Sequence, residues 1–101
     1  MGHHSAKYKK YIKSKKWKAL SIDCRKATKN KCCICLAPAK ESHHASYINL
    51  GKEKIGEDIF GVCVLCHKAL HDKLFWQSES EQNRIHLFLK MQFTKLSNQD
   101  K

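Results

Sequence analysis

The sequence predicts a small α+β domain organised around a structural metal ion rather than a large apolar core. Three observations carry this. Two CxxC pairs, Cys32/Cys35 and Cys63/Cys66, have 27 residues between them. Apolar residues recur at three- and four-residue intervals before the first pair and after the second, which is the period of a helix. Between the pairs the pattern becomes irregular and strand-like. At 101 residues the chain is one domain, residues 1–101. A chain this short buries limited apolar surface, so a metal or a cross-link is an expected stabiliser.

Residues 1–7 read as a disordered lead, and "MGHH" as the remnant of a purification tag, so His3 and His4 receive no role. An amphipathic helix is predicted from about Ser14 to Thr28, with Ser14 as its N-cap. Trp17, Leu20, Cys24 and Ala27 share one face of it, which makes Cys24 a core thiol and not a ligand. The stretch "CCICL" at 32–36 is a tight turn. Pro38 to Val62 reads as a loose β-hairpin with strand-like runs at Ser42–Tyr47 and Asp58–Val62, and Gly51 and Gly56 punctuate the loop between them. A second helix starts near Leu65 or Cys66 and ends near Leu74, closing a core of about residues 11–75. Ser78 and Glu81 form a capping box for a C-terminal helix over about 78–97. Ile85, Phe88, Leu89, Phe93 and Leu96 make its apolar stripe, with Gln92 the weak member. His86 lies beside the stripe and reads as an ordinary helix histidine. The tail "SNQDK" is expected to fray.

Formal net charge is +11, from 20 Lys+Arg against 9 Asp+Glu. Before residue 32, Lys13, Lys15, Lys16, Lys18, Arg25, Lys26 and five further lysines face one acid, Asp23. So lopsided a charge points to a polyanion, most simply nucleic acid, over a merely solvated lysine surface. No run approaches the ~18–20 apolar residues of a membrane span. No apolar leader precedes the basic start, so a cytoplasmic location is expected, where thiols stay reduced and favour metal over disulfide.

Four thiolates fill the tetrahedral shell of one structural Zn²⁺, and CxxC turns are the usual way to supply them. Cys33 competes with Cys32 for this role, but only Cys32 has two residues between itself and Cys35. That site consumes cysteines alone and leaves the histidines over. His67 and His71 are four apart on the predicted second helix and so point from one face. The adjacent pair in "ESHHASY", residues 41–47, lies in the hairpin between the cysteine pairs and offers a third ligand. Three histidines with an open position make a catalytic metal site, not a structural one. The remaining histidine is then free to handle protons near neutral pH.

Together "ESHH", "DIFGVCVLCHKALH" and the preceding CxxC resemble the zinc-binding branch of the HNH endonucleases, and "YIKSKKWKAL" is similar to the segment that often precedes that core. The resemblance covers about Tyr11 to His71. It implies a ββα-metal, treble-clef-like core with a structural four-cysteine zinc, which the N-terminal basic helix and the C-terminal helix read above would flank. It also implies His43, His67 and His71 as ligands of a catalytic ion, His44 as the general base, and Asp58 as the residue that orients the His44 loop. The sequence departs from the family in having Asp58 where Asn is usual and Leu36 where Gly often follows the first CxxC. His43 and His44, as adjacent strand residues, need a twist or a strand end to converge.

The chemistry implied is one-metal hydrolysis of phosphodiester bonds in double-stranded DNA, with little sequence specificity. The basic helix would hold phosphates. All-imidazole ligation suits Zn²⁺, Ni²⁺, Co²⁺ or Mn²⁺ better than Mg²⁺. Two rivals are a four-cysteine zinc module that binds nucleic acid or protein without cutting, and a second structural site closed by Asp72 or Glu41.

Overall fold

The computed structural model of the chain describes residues 6–98. Its element order is α1 (Ala6–Tyr11), α2 (Lys15–Lys26), β1 (Glu41–His44), β2 (Ile59–Val62), α3 (Val64–Trp76) and α4 (Glu79–Ser97). The architecture is α+β, as predicted. The expected lead is shorter than 1–7, because Ala6 and Lys7 already open α1; the rest of it lies outside the described residues. Among the described residues no helix is long and apolar enough to cross a membrane.

Each of the three longer helices starts where a side chain can satisfy a free backbone N–H. The Ser14 hydroxyl accepts from the Trp17 amide at 3.2 Å. The Cys63 sulfur accepts from the Cys66 amide at 3.3 Å, and the Ser78 hydroxyl from the Glu81 amide at 3.3 Å. One cap is therefore also a candidate metal ligand, which ties the start of α3 to the cysteine cluster.

β1 and β2 pair antiparallel in the register Glu41↔Val62, Ser42↔Gly61, His43↔Phe60 and His44↔Ile59. Both strands are shorter than the predicted runs, since the chain leaves β1 after His44. Alternation sends Ser42, His44, Ile59 and Gly61 toward α2, and Glu41, His43, Phe60 and Val62 toward α3 and α4. Two apolar clusters result. Trp17, Cys24 and Ile59 form one. Phe60, Val62, Leu70, Leu89 and Leu96 form the other, with the buried Cys32 and Cys33. Phe88, expected in the stripe of α4, is instead about half exposed, whereas Leu89 is fully buried.

Two glycines permit this packing. A Cβ on Gly61 would lie 3.3 Å from the Arg25 Cα, tighter than most such contacts, so a side chain there would push β2 and the α2 backbone apart by a few tenths of an ångström. Gly56 adopts φ +87° and also carries the Phe93 ring against its Cα. Leu36 takes φ +69°, the left-handed conformation glycine enters without strain. That is the physical content of its departure from the expected glycine: the turn is retained at some local cost.

Candidate metal centres

The four cysteines of the two CxxC pairs converge. One sulfur from each of Cys32, Cys35, Cys63 and Cys66 lies within 4.8 Å of the other three. All are free thiols, and Cys35 Sγ stands 3.7 Å from Cys63 Sγ. Two sulfurs sharing a tetrahedral ion at Zn–S of about 2.3 Å would be separated by nearly the same distance. Backbone amides support the set: the Ile34 N–H reaches Cys32 Sγ at 3.4 Å, beside the Cys66 N–H on Cys63. The Cys66 amide, ahead of opposing burial, holds the Cys63 thiol down to about 7. The group could hold a metal ion. Cys33 lies outside it, in the apolar cluster, where burial first of all pushes its thiol up to about 12. Cys24 is fully buried as predicted, and burial pushes its thiol up to about 11.

A second group lies on the α3 side of the hairpin. Nitrogens of His43, His67 and His71 all fall within 4.8 Å of one another. His67 and His71, one turn apart on α3, bring their Nε2 atoms to 3.0 Å. Their ring centroids are only 4.6 Å apart, so the two rings converge at an angle on a common point. The other nitrogen of His67, Nδ1, meets Glu41 Oε1 at 2.8 Å. Glu41, one of the two acids expected to close a second structural site, therefore meets the far side of a candidate ligand ring, as the partner of a metal-bound imidazole does. Asp72 is exposed on α3 and stands outside the group. His43 is 1 % exposed, and its Nδ1 is buried without a hydrogen-bond partner. Burial first, then the facing His67, His86 and His71 rings, push it from 6.5 to about 2, so it is an unprotonated donor. A buried ring nitrogen with no partner among the described residues, on a histidine grouped with two converging imidazoles, fits a divalent ion.

His44 is placed differently. It ends β1 and faces α2. Its ring stacks on Trp17 at 4.5 Å and on Tyr47 at 5.2 Å. Nε2 meets Glu53 Oε2 at 2.7 Å. The other Glu53 oxygen accepts from the Tyr11 hydroxyl at 2.8 Å and the Gly51 amide at 2.9 Å. Burial alone would raise the Glu53 carboxyl, but its hydrogen bonds from His44, the backbone and Tyr11 outweigh this and hold it below the ordinary value. Glu53 is thus placed as the acceptor for His44 Nε2, with Nδ1 on the other side of the ring. The Tyr8 hydroxyl lies 3.4 Å from that Nδ1.

Asp58 does not touch the His44 ring through its carboxylate, which accepts from Asn49 Nδ2 and the Lys54 amide, both at 2.9 Å. Its carbonyl accepts from the Ala45 amide at 2.8 Å, immediately after His44. The sequence expects Lys13, Lys15, Lys16, Lys18, Arg25 and Lys26 to meet nucleic acid; Lys13, Lys15, Lys16 and Lys18 line the exposed start of α2 and the turn before it. Arg25 instead donates to the carbonyls of Ser21 at 3.2 Å and Lys40 at 3.0 Å, clamping α2 to the start of β1.

Sequence reasoning missed Glu53 and Tyr8, whose loop and helix carry no motif, and read His86 as ordinary. His86 Nε2 stands 3.2 Å from His43 Nε2. Its place three residues before the buried Leu89 was the available signal, since that spacing aims a side chain inward. No family model, no curated protein and no solved structure matches the chain.

Proposed function

We propose that this chain is a metal-dependent nuclease of the HNH, ββα-metal kind, hydrolysing phosphodiester bonds in double-stranded DNA with little sequence preference. One observation carries the reading: three histidines from a β-hairpin and the helix that follows it converge on one point, beside four cysteines that tie the same hairpin to the same helix. In this reading Cys32, Cys35, Cys63 and Cys66 hold a structural Zn²⁺, and His43, His67 and His71 hold a divalent ion with a position left for substrate. Such an ion supplies stabilisation of charge on a phosphate oxygen and on the leaving oxygen.

The chain's own groups do the rest. Glu53 fixes the His44 proton on Nε2, which leaves Nδ1 as the atom that takes a proton from the attacking water. Because the Tyr8 hydroxyl faces that nitrogen, water reaches it only when α1 yields at Tyr8. Tyr8 is half-buried against the His44 and Tyr47 rings, so that displacement breaks these ring contacts. Exposed lysines of α2 and Lys13 hold flanking phosphates, and binding then weakens steeply with added salt.

A second reading, a zinc module that binds nucleic acid without cutting it, is favoured by the burial of His44, whose Nε2 is engaged by Glu53 and whose Nδ1 is faced by Tyr8. Supercoiled plasmid incubated with metal-free protein and Mg²⁺, Mn²⁺, Ni²⁺ or Zn²⁺ in turn separates the two. Metal-dependent nicking that disappears in His44→Ala is the expected result. Wild-type protein that binds the plasmid and leaves it intact with every metal would establish the second reading.

A further inference from the structure

We propose that His86, on α4, is a positioning residue of the histidine centre: it accepts a hydrogen bond from His43 Nε2 and so presents His43 Nδ1 to the metal. The proposal rests on the reading of His43, His67 and His71 as ligands of one ion.

The geometry of two imidazole pairs separates a ligand from a holder. The His67 and His71 nitrogens are 3.0 Å apart with ring centroids at 4.6 Å, so these rings meet obliquely, as two ligands of one ion do. The His43 and His86 nitrogens are 3.2 Å apart, yet their centroids stand 5.4 Å apart. Most of the centroid separation beyond the nitrogen contact is then the two ring radii laid end to end. The two Nε2 atoms point head-on at each other, the approach of an N–H···N hydrogen bond. His86 is also absent from the group of mutually close nitrogens that holds the other three.

Head-on contact at Nε2 consumes one nitrogen of His43. What remains is Nδ1, buried and without a hydrogen-bond partner. A metal-bound histidine regularly has its other ring nitrogen held by a neighbouring acceptor, which fixes tautomer and ring orientation. His67 already follows this pattern, with Glu41 on its Nδ1. His86 gives His43 the same support from the opposite side. The consequence for the fold is that α4, which lies outside the hairpin and α3, becomes part of the metal site. Leu89 and Leu96 anchor that helix in the core, so His86 is delivered by a packed element and not by a loop.

The test is titration of the full chain with Co²⁺ alone, for wild type, His86→Ala and His86→Gln. Sulfur-to-cobalt charge-transfer bands report the cysteine site, and the weaker bands of nitrogen ligation report the histidine site. The expected result is two Co²⁺ per wild-type chain. His86→Ala should weaken the histidine site by about 10–100-fold with the cysteine site unchanged, and the unchanged cysteine site shows that the variant folds. His86→Gln, whose amide oxygen can accept from His43, should restore most of that loss. Histidine-site affinity in His86→Ala equal to wild type would overturn the proposal. So would His86→Gln as weak as His86→Ala, since an imidazole would then be required as a direct ligand. Uptake of a single Co²⁺ by wild type, at the cysteines, would instead overturn the three-histidine reading itself, and this inference with it.

Discussion

His43 and His44 are neighbours in the chain and opposites in circumstance. His43 faces imidazoles, with one nitrogen left unpartnered in a buried space. His44 faces aromatic rings and a carboxylate, with Glu53 on Nε2 and Tyr8 opposite Nδ1. A strand that alternates its side chains produces this division without any special device. One face of β1 contributes to a group of histidines that could hold an ion. The other is a hydrogen-bonded network, which in the proposed mechanism must open at Tyr8 before His44 Nδ1 can act. The same residue type thus meets two different surroundings because packing, not identity, decides what each ring nitrogen faces.

The strongest way to break the comparison is to disable the four-cysteine group, because a metal held there would tie down the hairpin on which both faces depend. Cys63→Ser loses a ligand and alters the cap of α3 at once. Structural zinc contributes on the order of 10–16 kcal/mol in small domains, as much as or more than the ~5–15 kcal/mol by which a typical domain is stable. Cys63→Ser should therefore lose its cooperative thermal transition by circular dichroism, and chelation of wild type should do the same. A sharp transition retained after complete metal removal would show that the apolar clusters suffice alone.

The two histidines can then be separated by readout. His43→Ala should abolish uptake of the second metal while the cysteine metal remains. His44→Ala should leave both metals bound and lower plasmid cleavage by about 10²–10⁴-fold, the usual contribution of a general base. Identical metal content and identical loss of cleavage in the two variants would erase the distinction drawn between the faces.

Much of this was legible in advance, for a physical reason. Ligand spacing is local: Cys32/Cys35, Cys63/Cys66 and His67/His71 each sit within about one turn, so short-range geometry already aims them together. The period of α2 likewise marked Cys24 as core. What was not legible depends on chain paths. Glu53 reaches His44 only because the loop between the strands folds back over α1 and α2, and His86 reaches His43 only because α4 packs across the hairpin. Arg25 looked like one more phosphate-binding cation, yet the close approach permitted by Gly61 draws its guanidinium onto backbone carbonyls.

Trp17 sharpens the comparison on the His44 side alone. Its ring stacks on His44 and is tilted at 5.8 Å against Tyr11, which itself holds Glu53. Trp17→Ala should cost about 3–5 kcal/mol in denaturant unfolding, with both metals still bound at saturating metal. Loss of the histidine metal in this variant would mean that the two faces are coupled through β1.

Glu53→Gln makes the smallest change and the most specific one. A Gln side chain cannot accept from His44, Tyr11 and Gly51 together, since its NH₂ must face one of those donors, and the expected cost is about 1–3 kcal/mol. The sign of its pH dependence follows from the direction of the shift. The folded-state carboxyl lies below its ordinary value of 4.5, because bonds from His44, the backbone and Tyr11 outweigh the opposing effect of burial. A depressed carboxyl contributes stability that is present above the unfolded value and lost as pH falls through the folded one. The gap in stability between wild type and Glu53→Gln should therefore be widest above the ordinary value of 4.5 and close on further acidification, as the wild-type carboxylate takes up its proton. Metal ligands also protonate as pH falls. The difference between the two proteins, measured by urea unfolding at matched metal content, removes that common part. A gap that widens on acidification would mean that Glu53 is protonated in the native state, with the proton of the pair on the carboxyl instead of on His44 Nε2, and His44 would then lose the fixed tautomer on which its role as a base depends.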